Sequence, residues 1–270
     1  MMEFDRDQYL ERIRLDPSKA APDLNGLCAL QLAQASHIVF ENMTPLTGHV
    51  PDLATDALWD KLIVQGRGGY CFELNGLFGM ALSTFGFDAK PLMARVYGGQ
   101  PRGGPRSHLS FIVRIDGEDY LADCGFGGGA PVLPMRLSLN EPQTVRGEVF
   151  RLRADAETGD TVLERNMEDG WRTLYGFEPL RVQPSDIEAA NFVSAKWDKA
   201  PFSSNLMMTV VTPEGRHNLF NRGLKIIRNG ETESRTLETF DAFRSAMTDL
   251  FNLPDNDTLF RQVWDKIKNR

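Results

Sequence analysis

Apolar residues recur at helical spacing through the first third of the chain and at a spacing of two through the middle. Tyr9, Leu10 and Ile13 open a short helical segment that Pro17 ends. Leu24, Leu27, Leu30 and Ala33 or Gln34 predict a second helix over 23–37, and Leu58, Leu62 and Ile63 a third over 56–64. After Gly66-Arg67-Gly68-Gly69-Tyr70-Cys71, the set Leu74, Leu77, Phe78, Ala81, Leu82 and Phe85 predicts a well-buried fourth helix closed by Gly86. From Ala89 the period changes to two. Residues 92–96 read as a strand, followed by a loop over 97–107 rich in glycine and proline. Strands 108–115 and 118–123 flank Asp116-Gly117, a good two-residue hairpin turn. Further strands at 146–153, 160–165 and 172–177 make the middle third mostly antiparallel sheet. In the last third, strands 207–212 and 223–227 lie on either side of a turn at Pro213-Glu214-Gly215-Arg216. Leu237, Phe240, Phe243, Met247 and Leu250 then form one helical face, and Asp257 caps a final helix bearing Leu259, Phe260, Val263, Trp264 and Ile267.

Composition narrows the function classes. With 270 residues, 41% hydrophobic and 25% charged, the chain has ample material for a core without staples. Cys28, Cys71 and Cys124 make an odd count, which argues against a disulfide scaffold and for a reducing compartment. The net charge is −7 and no basic patch stands out, so nucleic acid is not an expected partner. The opening residues lack an apolar signal region, and the most apolar helical stretch, 74–87, is too short to span a bilayer. The expectation is a cytoplasmic protein without a membrane partner, either a monomer or a homodimer.

Cys71 stands after two glycines at the start of the strongest helical pattern. Unpaired N–H groups and the positive dipole end favour a thiolate there. Arg67 either adds to that field or pairs with Glu73, and a buried structural cysteine would carry the same local pattern. His108 opens the hairpin strand and Asp123 ends its partner. With Asp116-Gly117 as the turn, Ile115 faces Glu118 and His108 faces Gly125, which makes Asp123 a diagonal neighbour of His108 on the same face. A slip of one residue would separate them. A thiol attacking a carbonyl needs a base, and the base needs an acceptor that holds its tautomer. Cys71, His108 and Asp123 supply those three roles. Asn75, one turn from Cys71, either helps orient His108 or is a buried polar residue serving a nearby loop. Cys28 and Cys124 have no metal-ligand spacing with any histidine, so no metal site is expected. Gly125-Phe126-Gly127-Gly128-Gly129 is either a flexible strand-end loop or a close-approach ligand loop with Phe126 as a substrate wall.

These residues resemble the arylamine N-acetyltransferase family. The resemblance lies in Arg67-Gly68-Gly69-Tyr70-Cys71-Phe72-Glu73-Leu74-Asn75, in Ser107-His108, and in Tyr120-Leu121-Ala122-Asp123-Cys124-Gly125-Phe126-Gly127. Phe40-Glu41-Asn42, Gln183-Pro184 with Asp186, Asn191-Phe192, Pro201-Phe202 and Asn221-Arg222 add weaker similarity. The resemblance implies an α+β fold with a cysteine-protease-like Cys-His-Asp core. It implies a helical N-terminal domain (1–87) with the nucleophile, an antiparallel β-barrel-like middle domain (88–190) with His108 and Asp123, and a mixed α/β C-terminal domain (191–270) as a lid. It further implies ping-pong acetyl transfer from acetyl-CoA, a co-substrate and not a permanently bound cofactor, to aromatic amines or hydrazines. Cys71, His108 and Asp123 would be catalytic, Arg67, Asn75 and Glu41 supporting. Phe126, Gly103, Gly104, Gly125, Gly127 and Gly128 would line the substrate and CoA site. The chain departs from the family pattern at Val39, usually proline, and at Cys124, usually valine; an exposed Cys124 would react with oxidants. The competing readings are an amide synthase of the same family with a larger acyl donor, a thiol peptidase or transglutaminase-like enzyme, and a binding protein with a vestigial triad.

Overall fold

The first third of the computed structural model, which describes residues 4–270, is helical, as the spacing predicts. It runs through α1 (Arg6–Arg12), α2 (Leu24–His37), a two-residue strand β1 (Phe40–Glu41), α3 (Met43–Leu46), α4 (Thr55–Trp59) and α5 (Cys71–Thr84). Asp23 caps α2 by accepting from Gly26 N at 2.8 Å. The expected helix over 56–64 is in two parts: α4 ends at Trp59 and a wider π turn covers Asp60–Val64. Arg12 closes the end of this turn, its guanidinium donating to the carbonyls of Leu62 (2.9 Å) and, just past the turn, Gly66 (3.1 Å).

The middle is an eight-stranded antiparallel sheet of β2 (Asp88–Val96), β3 (Arg106–Ile115), β4 (Glu118–Ala122), β5 (Met135–Arg136), β6 (Gln143–Val145), β7 (Glu148–Ala154), β8 (Thr161–Met167) and β9 (Gly170–Phe177). Its order is β5-β4-β3-β2-β9-β8-β7-β6. Met135 on one edge strand and Val145 on the other share one apolar cluster with Leu92, Phe150, Leu163 and Tyr175, so the sheet curls on itself as a barrel does. Strand β2 starts four residues earlier than expected and includes Pro91. Pro91 is tolerated because β9 pairs with β2 only over Ala94–Val96, leaving that edge free at Pro91. Strand β3 is two-sided. Leu109, Phe111, Val113 and Ile115 join the apolar cluster of the helical region, with β3 lying against α5, while His108 turns toward Tyr175 and the barrel interior.

The last third holds α6 (Pro184–Lys196), β10 (Met207–Thr212), β11 (Gly215–Phe220), β12 (Gly223–Arg228), β13 (Glu231–Thr236), α7 (Phe240–Ser245) and α8 (Asp257–Ile267). The turn expected at 213–216 is shorter, since Gly215 and Arg216 already pair with Thr212 and Val211 in the ladder. The cap of α8 is Asn256, whose side chain accepts from Leu259 N at 3.0 Å, and not Asp257. Helix α6 runs through residue 190, and β1 of the helical region joins the edge of this second sheet in the order β1-β10-β11-β12-β13. Among the described residues, no helix is long and apolar enough to cross a membrane.

Candidate active site

Cys71 is the first residue of α5, and its approach is fixed by backbone contact. Gly69 N donates to Val39 O at 3.2 Å, and Glu41 N donates to Gly69 O at 2.9 Å, so the chain before Cys71 runs as a short strand along β1. A Cβ at Gly68 would lie 2.2 Å from Val39 O, and one at Gly69 would lie 2.8 Å from Glu73 Cβ. The paired glycines are there for closeness. Glu73 closes the helix start by accepting from Tyr70 N at 3.1 Å.

Four charged groups support this helix end. Arg67 pairs with Glu41 at 2.6 Å, not with Glu73, which takes Lys61 at 2.6 Å. Glu41 also accepts from Met43 N at 2.6 Å and lies 3.9 Å from Lys61. Burial alone would raise the pKa of Glu41. The charges of Arg67 and Lys61, with the Met43 hydrogen bond, hold it below the usual range instead. For Glu73 burial and the charge of Glu41 outweigh Lys61, and its pKa is raised.

His108 and Asp123 meet as the hairpin register requires. Asp116 and Gly117 both take positive φ, 51° and 85°, and the ladder runs from Ile115↔Glu118 to Phe111↔Ala122. Beyond that point β4 leaves the ladder, and His108 Nε2 lies 2.7 Å from Asp123 Oδ2. This leaves Nδ1 as the ring nitrogen that Asp123 does not engage. Three further donors saturate the carboxylate: Tyr175 OH to Oδ2 (3.1 Å), Asn75 Nδ2 to Oδ1 (2.9 Å) and Gly125 N to Oδ1 (2.8 Å). Burial would raise the pKa of Asp123, but the charge of His108 and the hydrogen bonds from His108, Asn75 and Gly125 N hold it below the usual carboxylate range. Asn75 thus acts on Asp123 rather than on His108, and it also accepts from Cys124 N at 2.9 Å.

Cys71 Sγ lies 3.7 Å from Ser107 O, at the backbone just before His108. Burial pushes the thiol well above its ordinary range and the charge of Asp123 adds to this. Leu109 and Phe72 backbone groups pull the other way without prevailing. The helix N-terminus alone therefore does not make a free thiolate. A base inside the same buried site is needed to take the proton, and His108 directly follows the Ser107 carbonyl that the thiol touches. Cys71, His108 and Asp123 are 4%, 1% and 5% exposed, so the chemistry is closed off from bulk water.

The glycine-rich segment packs closely around these groups. A Cβ at Gly125 would come within 2.7 Å of Asn75 Nδ2 and 2.9 Å of Cys71 Cα, so only glycine fits. Gly127 has φ +87° and rests on Phe40, while Gly128 lies against Asn218 and Thr209. Phe126 is half-buried, its ring edge-on to His108 with centroids 5.1 Å apart. Gly103 packs on Arg95 and Tyr97, and Gly104 N donates to Val96 O at 2.9 Å, continuing the β2–β3 hairpin. Cys124 is buried, not exposed, with its Sγ 3.8 Å from Gln31 O, and burial and the charge of Asp123 raise its pKa.

Tyr175 and Gln31 escape sequence reasoning. Tyr175 is fully buried, lies with its ring tilted against His108 at 4.9 Å and bonds Asp123, while Gln31 Oε1 accepts from Asp123 N at 3.3 Å. No local motif marks either residue.

The comparisons agree with this geometry. Residues 23–258 match the N-acetyltransferase family profile. The chain is 34% identical to the arylamine N-acetyltransferase of Mycolicibacterium smegmatis, with 98% of each chain covered. It is 33% identical to that of Escherichia coli, covering 93% of this chain and 89% of the relative. The solved structure of Mycobacterium marinum arylamine N-acetyltransferase in complex with CoA superposes with a TM-score of 0.89 at 32% identity, covering 98% of this chain and 99% of that one. The Salmonella typhimurium enzyme superposes with a TM-score of 0.89 at 30% identity, covering 95% and 96%. With a helical region, a curled antiparallel sheet and a mixed third region around a buried Cys-His-Asp set, this chain belongs to the arylamine N-acetyltransferase family of acyltransferases.

Proposed function

We propose that this chain transfers acetyl groups from acetyl-CoA to aromatic amines and hydrazines through an acetyl-Cys71 intermediate. The observation that carries the reading is the saturated Asp123 carboxylate held 2.7 Å from His108 beside the buried thiol at the start of α5. His108 takes the Cys71 proton as sulfur attacks the thioester carbonyl. The tetrahedral adduct collapses, the C–S bond to CoA breaks, and CoA leaves with the proton returned by His108. The acceptor amine then attacks acetyl-Cys71 and gives His108 its proton. Collapse expels the Cys71 thiolate, which recovers that proton. Asp123 stabilises the imidazolium in both halves, and Asn75, Tyr175 and Gly125 N hold Asp123 in place. Glu41 and Arg67 support the start of α5.

The segment up to residue 87 supplies the nucleophile, 88–190 the base and its partner, and the remainder covers them. A CoA-bound relative and the glycines beside the triad support acetyl-CoA as a co-substrate, with Gly125, Gly127 and Gly128, and on the β2–β3 hairpin Gly103 and Gly104, as contact candidates and Phe126 as the acceptor wall. Cys71 is only 4% exposed, which favours a small acyl group over a bulky donor. Three free cysteines support a reducing, cytoplasmic setting.

Initial rates at varied acetyl-CoA and arylamine test the reading. Parallel double-reciprocal lines, with CoA release in the absence of amine, are expected. Intersecting lines with CoA release only when amine is present would contradict a covalent intermediate.

A further inference from the structure

Phe126 stands between two anchors. On the near side, Gly125 N bonds Asp123 Oδ1 at 2.8 Å and packs directly on Cys71. On the far side, Gly128 O accepts from Arg216 Nη1 at 2.9 Å, and a Cβ at Gly128 would stand 2.7 Å from Asn218 Oδ1 and 3.1 Å from Thr209 Oγ1. Arg216 and Asn218 lie on β11 and Thr209 on β10, so the far anchor belongs to the C-terminal sheet. Arg216 is 6% exposed, and its other terminal nitrogen donates to Glu148 on β7, which also accepts from Arg165 on β8. One buried guanidinium thus joins the barrel, the C-terminal sheet and the glycine segment. A planar fork presents its donors to the two partners at fixed angles, which a rotatable ammonium on a flexible stem does not.

Only Phe126 and Gly127 lie between the anchors. Phe126 is held by its ring contacts with His108 (5.1 Å) and Tyr175 (5.0 Å), and Gly127 rests on Phe40 while its carbonyl accepts from Gly129 N at 2.8 Å. Loss of the far anchor would release Phe126 while leaving Gly125, Asp123 and Cys71 in place. We propose that Arg216 is a positioning residue for the acceptor half-reaction: by holding Gly128 O it fixes Phe126 against His108 and so sets which amines reach acetylated Cys71. This rests on the reading of Cys71 and His108 given above.

The test separates the two half-reactions in the wild type, Arg216→Met, Arg216→Lys and Glu148→Gln. Acetyl loading of Cys71 is followed by CoA release without amine. Acceptor transfer is followed with aniline and with a two-ring arylamine. Arg216→Met is expected to load within about twofold of the wild type, whereas its acceptor KM rises about three- to tenfold, more for aniline than for the wider amine. Arg216→Lys should recover part of that loss, and Glu148→Gln should shift the same constants less, because Gly128 O keeps its donor. Unchanged acceptor constants would overturn the assignment, as would loading and transfer falling in parallel. So would a lowered unfolding temperature with an unchanged ratio of the two rates. A wild-type protein that does not load at all would refute the transfer reading itself, and this assignment with it, which keeps the two failures distinct.

Discussion

Glu41 and Asp123 are both buried carboxylates that accept several donors, yet they are neutralised differently. Glu41 faces two cationic side chains, Arg67 at 2.6 Å and Lys61 at 3.9 Å. Asp123 takes its hydrogen bonds from His108, Asn75, Tyr175 and the Gly125 amide, none of which carries a permanent charge. A fixed cation cancels a carboxylate and makes a strut. Neutral donors hold a carboxylate in place and leave its charge for the moment His108 gains a proton. On the proposed mechanism, the same residue chemistry serves structure at the start of α5 and reaction at the end of β4.

Asp123→Asn should separate the two most sharply. Acetyl transfer, read as kcat/KM, is expected to fall about 10³–10⁴-fold while the protein still folds, because the imidazole loses its charged partner and its tautomer control. A loss under tenfold would put Asp123 in the same class as Glu41. Glu41→Gln should do the converse. Removing one partner of a buried pair is expected to cost about 3 kcal/mol in denaturant unfolding, with a much smaller loss of activity per folded molecule. Its pH signature follows from the direction of the shift. The folded-state pKa of Glu41 is depressed, so its contribution is complete above the ordinary value of 4.5 and is lost as pH falls through the lower folded value. Wild-type stability should therefore decline in that acid range more steeply than that of Glu41→Gln. Parallel acid slopes would show that Glu41 is not a strut. Tyr175→Phe makes the smallest change, removing one of the four donors to Asp123. A drop in kcat of about three- to tenfold is expected, with the acid limb of the pH–rate profile moved upward because the carboxylate is less stabilised. An unmoved acid limb would show that Tyr175 only packs on His108.

The parts of the site built by local rules were legible in the sequence. The positive φ values of Asp116 and Gly117 are what an Asp-Gly hairpin turn demands, and the turn sets the register that joins His108 to Asp123. The helix behind Cys71 carried its own apolar period. What depended on distant pairing was not legible. Tyr175 reaches His108 because β9 pairs with β2, after a bulge at Leu163/Glu164 alters the phase of its pairing with β8. Arg67 meets Glu41 because β1 lies beside Gly69, a contact that no spacing along the chain implies. Helix α6 was hidden because its buried face is Ala190, Asn191, Ser194 and Ala195, small or polar positions that give little apolar contrast. Strand β13 is exposed at every residue and shows no alternation. The start of β11 reads as turn in the sequence (Gly215-Arg216), and the strand shows no apolar alternation, since Arg216 and Asn218 face the junction with the barrel and not an apolar core.

Intact-protein mass spectrometry after mixing with acetyl-CoA, beside Cys71→Ala and Asp123→Asn, tests the central claim most directly. The account predicts a gain of about 42 Da on the wild type that an aromatic amine removes, none on Cys71→Ala, and a far slower gain on Asp123→Asn. An adduct that persists in Cys71→Ala, or its absence from the wild type at saturating acetyl-CoA, would contradict it.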